Sequence, residues 1–272
     1  MTPLGEFSCL LREKGLCDRK CEENPRYVSY HARPDERPEC YMKHMWLCSK
    51  MFDRKYPRYG PTFRRLLRKI TGNQRISGKL IETSIRCMTA LHDVGKLTQE
   101  YQEGRTGFRH EIPGFYIMIE TNLLNKLTEK EDLEILPLKI LPALAIYVMH
   151  EAMLIRYDKE WLRFPTAMEL IANLDKWHYR FVDDYVDVVA ETFRMFRLDA
   201  SAVNAISYIR TLDGNAIALA VTKHMAISHA PNGPSIRLAV SSLVKFLKDV
   251  DNEAAKIGRK QHFNKELGVI KW

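Results

Sequence analysis

The stretch Thr89 to Tyr101, TALHDVGKLTQEY, sets an imidazole and a carboxylate side by side at His92-Asp93, where both can ligate one cation. The dipeptide alone is weak, because a capped helix end explains it equally well. Further donors of the same kind recur along the chain among apolar residues at helical spacing. They are His44 in CYMKHMWLCSKMF, His110 in FRHEIPGFYIMIE, His150 in LPALAIYVMHEAMLI and Asp251 in SSLVKFLKDVDNEAAKIGR. A single histidine on an apolar face is more often a hydrogen-bonded core residue than a ligand. The ordered set is what points to metal chemistry, hydrolysis by a metal-activated water. Imidazole and carboxylate ligands suit Mn²⁺, Ni²⁺, Co²⁺, Fe²⁺ or Zn²⁺, and Mg²⁺ less, since it prefers all-oxygen shells.

Helices must deliver these groups. Leu80, Ile81, Ile85, Met88 and Leu91 recur at helical spacing and bring His92 to a buried helix end, with Gly95 expected to close that helix in a left-handed conformation. Tyr41 to Lys55 reads as the first core helix, with His44 one turn from Cys48. Thr98 to Arg109 reads as a loop, Glu111 to Leu124 as a helix, and Ile135 to Tyr157 as an apolar helix whose start Pro137 and Pro142 limit. Amphipathic helices follow over Phe164 to Leu212, and Asn215 to His229 and Ser235 to Ile257 close the chain. Leu247 faces the core one turn before Asp251, which favours Asp251 over Asp249 as the inward carboxylate. His224, beside Lys223, is expected to be exposed; His229 either lines the cleft or caps a helix. No useful strand alternation appears, so the expectation is an all-α fold in one domain. An irregular cysteine-containing arm spans 1–40, the helical domain 41–260 and a tail 261–272.

From Lys50 to Arg86 there are eleven lysines and arginines against Asp53 and Glu82, a net charge of +9 that exceeds the +8 of the whole chain. Such a stretch is usually a solvated face. Here Phe52, Tyr56, Tyr59 and Phe63 interleave with the cations, as a single-stranded nucleic-acid channel needs. Arg64, Arg65, Arg68 and Lys69 are the candidate phosphate contacts. Gly72 to Lys79, GNQRISGK, has five residues between its glycines and Leu80 after its lysine, so it does not make an ATP phosphate loop.

At 272 residues, with 46% hydrophobic and 28% charged residues, the chain is that of a folded globular protein rather than a disordered one. No apolar run approaches the roughly 20 residues of a membrane span. Met1 to Leu11 lacks a secretory pattern, so no membrane association and a cytoplasmic location are expected. Cys9, Cys17, Cys21 and Cys40 lack the C-x-x-C spacing of structural zinc sites and read as reduced thiols, with zinc the alternative.

HDxGK at His92 to Lys96, RHE at Arg109 to Glu111, the apolar helix ending in His150 and VDNEAA from Val250 resemble the HD-domain nucleases of CRISPR type I systems, in their stand-alone form. The resemblance runs from about Tyr30 to Arg259. Where the family often has a His-His pair, this chain has His150-Glu151. The resemblance implies an all-α HD-domain bundle with two divalent transition-metal ions. His44, His92, Asp93 and Asp251 would hold the first, and Asp93 would bridge to a second with His110 and His150. Asp93 and Lys96 would be catalytic, Lys96 neutralising the scissile phosphate and contacting the nucleic acid. It also suggests His31 near the metals, which reads equally well as a loop histidine. The implied substrate is single-stranded DNA or RNA, and the implied partners are a separate helicase subunit and an RNA-guided surveillance complex. Other readings of the same residues are an HD-superfamily phosphohydrolase or phosphodiesterase acting on a small nucleotide, a binding subunit with a degenerate site, and a structural helical protein.

Overall fold

A computed structural model of the chain describes residues 7–20, 23–30, 38–73, 76–104, 109–149, 178–225 and 233–266. In chain order the helices are α1 (Leu10–Glu13), α2 (Tyr41–Thr71), α3 (Gly78–Leu91), α4 (Gln99–Gln102), α5 (Glu111–Glu120), α6 (Leu123–Thr128), α7 (Asp132–Tyr147), α8 (Tyr185–Met195), α9 (Gly214–Met225) and α10 (Gly233–Glu266). Short 3₁₀ turns cover Val94–Leu97 and Ala200–Ile206. Two small antiparallel pairs accompany them: β1 (Val28–Tyr30) with β2 (Glu39–Cys40), and β3 (Tyr179–Arg180) with β4 (Thr211–Leu212). The all-α expectation holds.

α2 does not stop at Lys55. It runs on for a total of 31 residues through Pro57 and Pro61. Each proline frees the carbonyl four residues earlier. Both lie four apart on the exposed face, where water can satisfy those carbonyls and the helix survives. The opposite face carries Met45, Cys48, Phe52, Tyr56, Phe63 and Leu67, all buried against α10 and the rest of the core. Phe246 of α10 is the hub, with ring centroids 5.4 Å from Phe52, 5.3 Å from Tyr59 and 5.5 Å from Phe63. The rings that interleave with the basic residues are therefore core, and Phe52, Tyr56 and Phe63 are not a base-stacking platform.

α7 likewise continues through Pro137 and Pro142. Pro142 cannot donate to the Leu138 carbonyl, and the buried Ser84 hydroxyl on α3 donates to it instead at 2.5 Å. The proline thus creates the acceptor that ties α3 to α7.

α3 begins at Ser77, whose hydroxyl accepts the Leu80 N–H at 3.1 Å. Its end differs from the expectation. His92 keeps right-handed helical angles, the chain passes through Asp93 into the 3₁₀ turn, and Gly95 has no positive φ. Gly95 is needed for close approach: a Cβ there would lie 2.0 Å from the His110 carbonyl oxygen. A Cβ at Gly114 would lie 2.3 Å from the Leu91 carbonyl oxygen. These two glycines let α5 cross directly over the turn that follows α3, which brings His110 to Asp93.

The described parts of the N-terminal arm pack onto the helices rather than hanging free. Leu11, Cys17, Tyr27 and Cys40 are buried, and the Tyr27 hydroxyl donates to Asp184 at the start of α8. Cys9, Cys17, Cys40, Cys48 and Cys87 form no disulfide. The expected exposure of His224 is wrong. It is 5% exposed, its Nε2 lying 2.7 Å from Glu120 Oε1, because the carboxylate at the end of α5 gives it a partner under α9. Thr98 to Arg109, expected to be a loop, includes the turn α4. No helix among the described residues is long and apolar enough to cross a membrane.

Candidate metal centre

Three helix segments converge on one point. The first turn of α2 supplies His44, the end of α3 supplies His92 and Asp93, and α10 supplies Asp251. His44 Nε2 lies 3.0 Å from Asp251 Oδ1 and 3.3 Å from Asp93 Oδ2. His92 Nε2 lies 3.5 Å from Asp93 Oδ2 and 3.7 Å from Asp251 Oδ1. His44, His92 and Asp93 are buried, while the Asp251 side chain is 20% exposed and opens the site to solvent.

The hydrogen bonds behind the rings fix which nitrogen faces inward. His92 Nδ1 lies 2.7 Å from the Thr89 carbonyl oxygen, which can only accept, so Nδ1 carries the proton. In the neutral ring Nε2 is then a lone pair, and it is buried without a hydrogen-bond partner. His44 Nδ1 faces Glu39 Oε1 at 3.4 Å, and its Nε2 likewise points at the carboxylates. Backing a histidine with a carboxylate or carbonyl is how ligating imidazoles are oriented. A buried imidazole nitrogen without a hydrogen-bond partner, facing two carboxylates, is a donor set that a cation would complete. The residues present fit a divalent transition-metal ion.

Asp93 faces two ways. Its Oδ2 meets His44 and His92, and its Oδ1 lies 3.5 Å from His110 Nε2. Lys96 Nζ donates to Oδ2 at 2.7 Å and sits 3.4 Å from Ser29 Oγ. Burial works to raise the Asp93 pKa, but His92 and Lys96, with hydrogen bonds from His110 and His44, hold it well below the usual carboxylate range. For Asp251 the partial desolvation of its carboxylate is outweighed by His44 and His92, which likewise hold it low. For His44, burial pushes downward and is outweighed by the Cys48 sulfur and by Glu39, Asp251 and Asp93, so the ring is held well above its ordinary value. Burial lowers the Lys96 pKa, but Asp93 more than offsets it and the ammonium is retained.

Of the residues expected here, His44, His92, Asp93, His110, Lys96 and Asp251 are brought together. Asp249 points elsewhere, to the Tyr59 hydroxyl and to Lys245 Nζ at 3.2 Å, so Asp251 is the inward carboxylate. His150, Glu151, His31, His229 and Cys21 lie outside the described residues. Two residues at the site were not among the expected ligands. Glu39 stands five residues before His44 in a different element, so no periodicity links them. Cys48, one helical turn after His44, lies 3.5 Å from His44 Nε2, and its spacing was a signal available in the sequence. His44, Cys48, His92 and Asp251 each place one donor atom within 4.8 Å of the others, a group that could hold a metal ion.

The basic face lies apart from this centre. Arg64, Arg65 and Lys69 are exposed near the far end of α2; Arg64 is twenty residues beyond His44, roughly 30 Å along the helix axis. Arg68 is engaged elsewhere: its Nε and Nη2 donate to the Ile76 carbonyl at 3.0 and 2.9 Å and hold the turn between α2 and α3.

No family model matches the chain. A curated relative, the CRISPR-associated endonuclease Cas3-HD of Methanocaldococcus jannaschii, is 22% identical over 214 residues, which are 76% of this chain and 82% of the relative. A solved structure, the CRISPR-associated Cas3 HD domain protein of the same organism, superposes with a TM-score of 0.54 at 20% identity, covering 77% of this chain and 95% of that one. The convergence of His44, His92, Asp93 and Asp251 on one buried point thus sits in a chain that has the HD-domain fold and is similar to the stand-alone HD proteins of CRISPR systems.

Proposed function

We propose that this protein is a metal-dependent nuclease that hydrolyses phosphodiester bonds of single-stranded DNA. The observation that carries the reading is the buried, unpartnered His92 Nε2, aimed with His44 at Asp93 and Asp251. One divalent transition metal held by these four residues, and a second held by Asp93 and His110, would supply Lewis acidity and lower the pKa of a water. The chain's own groups do the rest. Thr89 and Glu39 fix the rings, and Asp93 is kept ionised by its cationic neighbours. Lys96 keeps a positive charge beside the reacting centre, where a phosphate would be stabilised. Asp251 and His110, the most exposed members, mark the side from which a strand enters.

The relative is an endonuclease by name, which supports a polymeric substrate over a mononucleotide, as does the exposed cationic end of α2. The chain shows no ATP phosphate loop of its own, so duplex DNA requires a separate helicase, with an RNA-guided complex choosing the site. The test compares purified protein loaded with Mn²⁺, Co²⁺ or Ni²⁺ on circular single-stranded DNA, matched blunt duplex and mononucleotides. Cutting of the circle is expected. Hydrolysis of mononucleotides without strand cleavage would overturn the nuclease reading in favour of a small-molecule phosphohydrolase. Efficient duplex degradation without helicase or ATP would overturn the division of labour.

A further inference from the structure

We infer that Cys48 is a direct ligand of the cation held by His44, His92 and Asp251, so that this centre carries a thiolate beside its imidazoles and carboxylate. The inference rests on the reading that the centre binds a cation and adds a ligand to it. Cys48 follows His44 by one turn on α2, and residues four apart on a helix share a face. The thiol is fully buried, and its Sγ lies 3.5 Å from His44 Nε2. A tetrahedral ion with sulfur at about 2.3 Å and nitrogen at about 2.0–2.1 Å separates those two atoms by about 3.6 Å. The observed spacing, which without an ion is that of a thiol–imidazole hydrogen bond, already accommodates two ligands sharing one.

The other members agree. The donor atoms of His44, Cys48, His92 and Asp251 lie within 4.8 Å of one another, and one of them, His92 Nε2, is a buried nitrogen with no hydrogen-bond partner. Asp93 does not drop out of the site. Its Oδ2 still faces His44 and His92 as a further donor to this ion, and its Oδ1 faces His110, where it can reach a second one. Binding balances simply: the sulfur–metal bond forms as the S–H bond breaks, and the proton leaves to solvent. A thiolate is a soft ligand, so the centre binds Zn²⁺, Co²⁺, Ni²⁺ or Fe²⁺ more tightly than Mn²⁺ and disfavours Mg²⁺.

The experiment titrates metal-free full-length protein with Co²⁺ and follows the near-ultraviolet spectrum, where thiolate-to-cobalt charge transfer absorbs, with bound cobalt counted separately by metal analysis. The wild type is expected to show the band at stoichiometric loading. Cys48→Ser is expected to lose the band and to bind cobalt at least about tenfold more weakly, in the range of perturbed metal sites. Stoichiometric cobalt without the band, or a band that persists in Cys48→Ser, removes Cys48 from the ligand set and leaves the cation site standing. Failure of the wild type to bind cobalt overturns both the ligand assignment and the metal-centre reading beneath it. Where the serine variant does not fold, Cys48→Asp, which keeps an anionic donor at this position without sulfur, serves as the second variant: cobalt bound without the band supports the thiolate ligand, and a band that persists removes it.

Discussion

Lys96 Nζ lies 2.7 Å from Asp93 Oδ2, one 3₁₀ turn along the chain, and only 11% of the lysine side chain is exposed. Sequence reasoning suggests that removing Asp93 relieves crowding among like charges and leaves the fold intact. The geometry reverses that expectation, because His44, His92, His110 and Lys96 surround the carboxylate. Asp93→Ala should abolish metal-dependent cleavage and also destabilise the metal-free protein by about 3 kcal/mol, the cost of leaving a buried charge without its partner. Urea denaturation after chelation measures this, and Lys96→Met in the Asp93→Ala background should recover part of the loss. No change in midpoint would show that the pair does not matter to folding.

Glu39 is held against His44 by a close contact with α10. A Cβ at Gly258 would lie 2.4 Å from Glu39 Oε1 and 3.5 Å from Leu47 Cδ1. Gly258→Ala should therefore push the carboxylate off His44 Nδ1, and Glu39→Gln should remove its charge. Both are expected to weaken metal binding about tenfold or more while leaving helicity unchanged. Competition with a chromogenic chelator reads the affinity, and equal affinities across wild type and both variants would dismiss Glu39 as the group that orients His44.

The basic end of α2 divides into two kinds of residue. Arg64, Arg65 and Lys69 are exposed, and replacing all three with alanine should flatten the salt dependence of single-strand binding by roughly 0.7 in slope for each phosphate that is no longer neutralised. Arg68→Ala should instead lower the melting temperature, because its guanidinium holds the Ile76 carbonyl. An unchanged salt slope in the triple variant would show the face to be merely solvated.

His224 has a pKa below its ordinary value, chiefly because burial disfavours the charged ring, with Lys223 and Lys139 adding to this and Glu120 opposing it. The sign follows directly. The unfolded chain takes up this proton at higher pH than the folded one, so the contribution to stability is present above pH ~6.5 and is lost as pH falls through the folded value. His224→Gln should make the decline in stability from pH 7 to 5 shallower than in the wild type. Parallel declines in the two proteins would show that His224 does not titrate differently on folding.

Much of the centre was legible because HDxGK, RHE and the late aspartate are short patterns of ligand types on apolar helices. Their convergence needed the fold, and Glu39 enters from a strand with no periodic relation to His44. The aromatic residues were misread for a definable reason. Phe52, Tyr56, Tyr59 and Phe63 repeat at the spacing of one helical face, the same face that Met45 and Cys48 bury, so the pattern itself marked them as core. The prolines misled in the opposite direction. Pro57 and Pro61 lie on the exposed face and Pro142 leaves its freed carbonyl to Ser84, so α2 runs past the expected end at Lys55 and α7 starts at Asp132, ahead of both prolines expected to limit it.

α2 also works as a ruler. One continuous helix carries His44 at its first turn and Arg64 and Lys69 near its last, so on the proposed reading the interval between the metal centre and the cationic end is set by helix length at roughly 30 Å. Oligonucleotides too short to reach across that interval should be cut without any help from the cationic end. Their turnover should then be insensitive to the Arg64, Arg65 and Lys69 substitutions that weaken the hold on longer strands, which makes substrate length itself a gauge of how the two ends of one helix share the task.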